Sequence, residues 1–193
     1  MKRNKWKTAF FGLAGLVILG IVIILAMAFM PAKDEPNPKG AYSNGKDVQF
    51  HINATKEDLN KMINHYIKKE GLNGPVDYRV LLTDEVELYG TIPVFSQDLN
   101  LKMTFEPEAL KNGDLVLRQK SISLGRLNLP VSYVLKFIRD SYKLPDWVKI
   151  QPNDKMVYVS FHNMKLKSDM KVRADEFNLK DDNISFTLLV PTQ

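Results

Sequence analysis

The side chains able to do chemistry in this chain are three histidines, a few adjacent carboxylate pairs and scattered serines, with no cysteine. Metal sites need ligands that fall on one face of a helix or strand. His51, His65 and His162 lie far apart, and neither HxH nor HxxxH occurs. Paired carboxylates could share general acid and base work once a fold brings them together. Here the pairs Asp84/Glu85, Asp175/Glu176 and Asp181/Asp182 are sequence neighbours at expected turns or strand ends, where water solvates them. No G-x-S-x-G elbow activates a serine, and neither phosphate-cradling glycine motif is present. Without Cys there is no thiol nucleophile, thiolate metal site or disulfide framework. The sequence therefore predicts a protein that is not an enzyme and carries no metal or cofactor. Asn53-Ala54-Thr55 and Asn183-Ile184-Ser185 match a glycosylation sequon that matters only in a eukaryotic secretory pathway.

With reactive groups set aside, the patterning of apolar residues carries the reading. Residues 8–32 contain no charge, and from Ala9 to Met30 almost every residue is apolar. About 22 residues rising about 1.5 Å each make a helix of roughly 33 Å, against a hydrocarbon core of about 30 Å. Lys2, Arg3, Lys5 and Lys7 precede the run, with Trp6 at interfacial depth; Lys33, Asp34 and Glu35 follow it. The positive-inside rule puts residues 1–7 in the cytoplasm and the rest outside the cell membrane. The competing reading is a signal peptide cleaved after Ala28, since Ala26-Met27-Ala28 has the small-x-small form. The run is longer than the usual signal h-region, which favours a retained signal anchor. The net charge of +5 belongs mostly to this end: residues 33–193 hold 23 basic and 22 acidic side chains. That balance gives no support for nucleic-acid binding.

The elements follow in order. Residues 33–46, with Pro36, Pro38, Gly40 and Gly45, read as a tether, and residues 47–193 as one extracytoplasmic domain. Val48, Phe50 and Ile52 alternate as a short strand. Lys56 to Glu70 is a helix: Thr55 and Asp58 form a capping-box variant, and Gly71 supplies the stop. Its stripe of Leu59, Met62, Ile63, Tyr66 and Ile67 must lie on something apolar. From Pro75 to Leu124 the period becomes two, giving a four-strand antiparallel meander. Gly90 on its inward face implies a bend. The inward phase slips between Leu115/Leu117 and Ile122/Leu124, which requires a bulge near residues 119–121. Pro130 opens a second helix to about Tyr142, with Val131, Val134, Leu135, Ile138 and Tyr142 on one side and Tyr133 and Phe137 opposite. Residues 144–153 read as irregular, 156–161 as a strand, and 166–190 as a hairpin turning at residues 180–183. The expected fold class is α+β: an N-terminal transmembrane helix, then a curved antiparallel sheet packed on a long helix, in the order β-α-β4-α-β3.

Three stretches carry a resemblance over the whole chain: Phe50 to Asn60 (FHINATKEDLN), Glu87 to Val94 (ELYGTIPV) and Leu124 to Pro130 (LGRLNLP). Together with the basic N terminus and single anchor, they resemble the YpmS-like family of membrane-anchored bacterial proteins of unknown function. The T-x-x-x-L-N helix start from Thr55 to Asn60, the glycine-bent meander and the step into the second helix are more distantly similar to small bacterial tubular lipid-binding (BPI-like) domains. That second resemblance implies a curved sheet wrapped on a helix with lipid in the groove. Its lipid-groove candidates are Leu59, Met62, Ile63 and Tyr66 on the helix, Leu99, Leu101, Met103 and Phe105 on the concave face, and Val134, Leu135 and Ile138 near the mouth. The functional expectation is a domain that binds or passes a lipid or lipid-linked cell-envelope component. The alternative is a non-catalytic partner or regulatory module for envelope enzymes, using Tyr89, Phe95, Trp147 or Tyr158 on an exposed face.

Overall fold

The structure, a computed structural model, describes residues 5–32, 47–69, 78–94, 97–142, 144–166 and 169–192. The expected tether, Gly71, Phe95 and Glu70 lie outside the described residues. The first helix, α1 (Lys5–Phe29), holds a window from Phe10 to Met27 of mean hydropathy 2.9, none of it buried against the rest of the protein. A helix apolar on all sides and covered by nothing is long enough and greasy enough to cross a bilayer. Just beyond it, the Asn153 side chain bonds both backbone groups of Ala32: its Oδ1 accepts from the Ala32 N–H at 3.0 Å, and its Nδ2 donates to the Ala32 carbonyl.

Strand β1 (Val48–Ala54) leads into α2 (Lys56–Lys69). The capping box forms as the sequence predicts. The Asp58 N–H donates to Thr55 Oγ1 at 3.2 Å, and Thr55 Oγ1 donates to the Asp58 carboxylate at 2.8 Å. A further orphan donor at this end, the Lys56 N–H, is taken by Asp182 at 2.8 Å from the distant turn at residues 179–182. The meander is β2 (Arg79–Leu82), β3 (Val86–Val94), β4 (Gln97–Ala109) and β5 (Leu115–Leu124). The register slips where Thr104 faces Ser121 but Phe105 faces Gln119, leaving Lys120 as the extra residue. This is the bulge demanded by the two hydrophobic phases, and it bends the strand and raises its twist.

After α3 (Val131–Ser141) the chain departs from the expected order. The stretch read as irregular contains β6 (Val148–Gln151), which pairs with β7 (Met156–Val159), and β7 in turn pairs with β5. A 3-10 turn (Phe161–Asn163) follows, then β8 (Lys171–Asn178) and β9 (Asn183–Val190). The order is thus β-α-β4-α-β4 rather than β-α-β4-α-β3. A four-residue edge strand bounded by Trp147 and Pro152 is too short for its alternation to show. The strands make two antiparallel sheets: six strands in the order β2-β3-β4-β5-β7-β6, and three in the order β1-β9-β8.

The six-stranded sheet is curled, and α3 enters the core through Val134, Leu135 and Ile138. Met103, Val134 and Leu135 lie at the centre of the core with Leu101, Phe105, Leu124, Ile138 and Ile150. The helix α2 spans 14 residues and reaches the core with Leu59. It runs along the β2 edge, where Asn60 Oδ1 accepts from the Leu82 N–H at 2.7 Å and Asn60 Nδ2 donates to the Leu82 carbonyl at 3.0 Å. Asn64 Nδ2 donates to the Val80 carbonyl at 3.3 Å. Side-chain amides thereby occupy the backbone groups that an edge strand would otherwise expose. At its other end Tyr66 lies 6.1 Å from Trp147, beside β6, so α2 reaches from one edge strand of the sheet toward the other. Ile184, Leu179, Phe177 and Phe186 carry the three-stranded sheet into the same core.

Candidate functional site

The residues expected to line a lipid groove divide into two groups. Leu59, Leu101, Met103, Phe105, Val134, Leu135 and Ile138 are buried together, with Ile63 and Leu99 packed half-buried against them. They meet one another across the concave face of the sheet. Met62 and Tyr66 point outward, Met62 with 61 % of its surface exposed. The reason is the edge position of α2: only the narrow line Leu59–Ile63–Ile67 faces in. Of the aromatic residues expected on an exposed face, Tyr89 and Trp147 are half-buried and Tyr158 is buried.

Tyr158 belongs to a cluster that no motif announces. The Asp114 carboxylate is wholly buried and surrounded by donors. Tyr158 OH donates to it at 2.6 Å, Asn112 Nδ2 at 2.9 Å, and His162 Nδ1 lies 2.9 Å away. Burial, followed by the bond to Asp114, pushes the Tyr158 phenol up to about 12. Ser160 Oγ lies 3.2 and 3.3 Å from the two ring nitrogens of His162, which makes the set look like a carboxylate–histidine–serine relay. Its geometry argues otherwise. The hydroxyl sits beside the ring edge rather than in line with one nitrogen, and Ser160 has no accessible surface to offer a substrate. The cluster is a clasp joining the β4–β5 turn to β7 and the 3-10 turn. Gly113 helps form that turn at φ +80°, and its carbonyl accepts from the Ala174 N–H at 2.8 Å. Spacings of 44 to 48 residues hid the clasp from sequence reading.

The convex face of the meander is polar. Tyr89 lies between two cations, the Arg79 guanidinium 5.5 Å and the Lys102 ammonium 5.2 Å from its ring centre. Its hydroxyl donates to Glu87, which also receives Lys102 at 3.1 Å; the Tyr89 bond is the larger cause holding the Glu87 carboxyl below its usual range. An open groove of about 390 Å³ runs beside this cluster, lined by Tyr89, Gly90, Asn100, Leu101, Lys102, Ser123 and Gly125. Members of each acid pair serve structure. Asp84 and Glu85 pair with Lys56 and Lys120, and Asp182 caps α2. Asp175 accepts from Thr187 and pairs with Arg173 at 3.2 Å.

The feature that stands out is apolar. On one face of the three-stranded sheet, cross-strand neighbours are Val48–Val190, Phe50–Leu188–Val172, Ile52–Phe186–Ala174 and Ala54–Ile184–Phe177. The last row is closed by the core, and Phe186 meets Phe161 edge-on at 5.8 Å. Toward β1 the face is open: Val48, Phe50 and Ile52 are 45, 53 and 44 % exposed. A contiguous apolar surface at a strand face marks a binding surface more often than scattered exposed side chains do. The alternation of β1 was legible in the sequence; its lack of cover was not.

Residues 4–190 match the model of a family described as "Uncharacterized protein conserved in bacteria (DUF2140)". The chain belongs to this family. It is also 35 % identical over 192 residues to the "Uncharacterized protein YpmS" of Bacillus subtilis (strain 168), spanning 98 % of this chain and 100 % of that protein. No solved structure matches. The resemblance carried by the FHINATKEDLN, ELYGTIPV and LGRLNLP stretches is therefore one of true membership. Membership in the DUF2140 family brings no activity with it, so the reading of function rests on the geometry.

Proposed function

We propose that this chain is a single-pass membrane protein, its basic N terminus in the cytoplasm, whose extracytoplasmic domain binds or passes a lipid or lipid-linked envelope component. The observation that carries the reading is the open apolar strip of β1, Val48, Phe50 and Ile52, in a chain that also carries a bilayer-length helix. Phe50, Ile52 and Leu188 offer a strip on which an acyl or prenyl chain leaving the bilayer is shielded, each Å² of apolar surface removed from water contributing about 25 cal/mol. Four cations and no acidic side chain before the run support that orientation.

The test is photo-crosslinking of the full chain in vesicles of anionic phospholipid bearing a photoactivatable acyl chain. The expected products map to residues 48–54 and 184–190 as well as to α1, and Phe50→Glu lowers the first set at least fivefold without changing the second. Labelling confined to α1 would defeat the proposal. The competing reading, a non-catalytic module for envelope enzymes, draws on the Arg79–Tyr89–Lys102 cluster of the convex face. It predicts that Tyr89→Ala, rather than Phe50→Glu, lowers at least fivefold the envelope proteins cross-linked to the full-length chain in membranes.

A further inference from the structure

We propose that β1 is the seat of a second copy of this chain, the two β1 strands pairing antiparallel about His51 into a continuous β8-β9-β1-β1-β9-β8 sheet. The inference rests on the edge of the strand and stands whether or not the apolar face takes a lipid.

Two edge strands of this fold are treated differently. The edge of β2 is filled by the amides of Asn60 and Asn64. Strand β1 also ends its sheet, since it pairs with β9 alone, yet among the described residues nothing pairs with its other side. Six of its seven residues are exposed. It carries none of the devices that blunt a free edge: it has no Lys, no Pro, no charge and no register shift against β9. A regular seven-residue strand whose outer edge pairs with nothing among the described residues is a template for another strand.

The sequence of the strand says which one. VQFHINA is chemically symmetric about its middle residue. Antiparallel pairing centred on His51 sets Phe50 beside Ile52 of the other copy, apolar against apolar. It sets Gln49 beside Asn53, amide against amide, and Val48 beside Ala54. No like charges meet, and the exposed apolar face continues unbroken from one copy to the next. The pairing is isologous, with a two-fold axis through the His51 pair. Such an axis can stand along the bilayer normal and leave both anchors in one membrane. One strand pair is a small interface by itself. Confinement of both copies to one bilayer raises their effective concentration enough for a small interface to matter.

The absence of cysteine makes the test clean. Single cysteines are placed in the full-length chain at positions 49, 51 and 53, and oxidative cross-linking is measured in native membranes. Opposed Cα atoms in an antiparallel pair lie about 4.5–5.5 Å apart, within disulfide reach. The expected result is a sharp maximum for His51→Cys, at least tenfold above Gln49→Cys and Asn53→Cys, whose self-distances grow with their offset from the axis. Equal yields at the three positions, or none at any, would overturn the proposal. A second measurement guards against a variant that misfolds: two differently tagged wild-type chains are co-expressed and one is captured in detergent. Co-capture that Phe50→Lys reduces at least fivefold, and that pairing Phe50→Lys with an Ile52→Glu partner restores, supports the strand pair. Co-capture unaffected by Phe50→Lys refutes it.

Discussion

Asp114 is the side chain whose surroundings are most tightly determined. A carboxylate with no accessible surface must be met by donors, and Tyr158, Asn112 and His162 converge on it from three places in the chain. Tyr158→Phe keeps the ring and removes the 2.6 Å donor. It should cost about 2 kcal/mol in urea unfolding, the range for a hydrogen bond to a charged group. Because folding raises the phenol to about 12 from an unfolded value of about 10, the neutral hydroxyl stabilises the fold fully below pH about 10. That contribution falls away as pH rises through about 12, and Tyr158→Phe should flatten the alkaline decline. Glu87 has the opposite sign. Its carboxyl is lowered, so its contribution is present above the ordinary carboxylate range near pH 4.3 and is lost as pH falls below it. Glu87→Gln should therefore make the melting temperature less sensitive to acid between pH 5 and pH 3, relative to wild type.

At the scale of elements, legibility tracked length and periodicity. The start of α2 could be read because a cap is local chemistry between Thr55 and Asp58. The bulge at Lys120 could be read because one extra residue inverts every later side chain, and the two phases around it conflict. The strand β6 could not, and the exposure of Met62 and Tyr66 could not, because a stripe reports that a helix faces something without reporting how much of it is covered. Asn60 lies between apolar stripe positions of α2. It makes two bonds to Leu82. Asn60→Ala should cost about 2 kcal/mol and speed hydrogen exchange at the β2 edge, while a substitution at exposed Lys61 should do neither.

For the molecule as a whole, the apolar window of α1 is not buried against the described part of the folded body. None of the window from Phe10 to Met27 is buried, and the described contact at its end is the pair of Asn153 bonds to Ala32. A chain starting at residue 33 should leave the membrane fraction, keep its circular dichroism, and lose no more than about 2 kcal/mol of stability, the worth of those two bonds. Met103→Ala, by contrast, opens a cavity where the curled sheet meets α3 and should cost about 2–5 kcal/mol in either form. A large loss on truncation would mean that α1 is part of the core.

The amino-acid sequence by itself determined the bilayer-length helix, the meander with its bulge, both later helices and the family, because each is written in local periodicity or in contiguous runs. Tertiary structure alone decided which apolar residues were covered. Leu59, Met62, Val48 and Leu101 are equivalent as hydrophobes in the sequence. The curl of one sheet and the edge position of α2 bury Leu59 and Leu101 and leave Met62 open, and the edge position of β1 leaves Val48 open. It alone also brought Asp114, Tyr158 and His162 together, since contacts across some 45 residues depend on the path of the chain and leave no mark in the spacing of its letters.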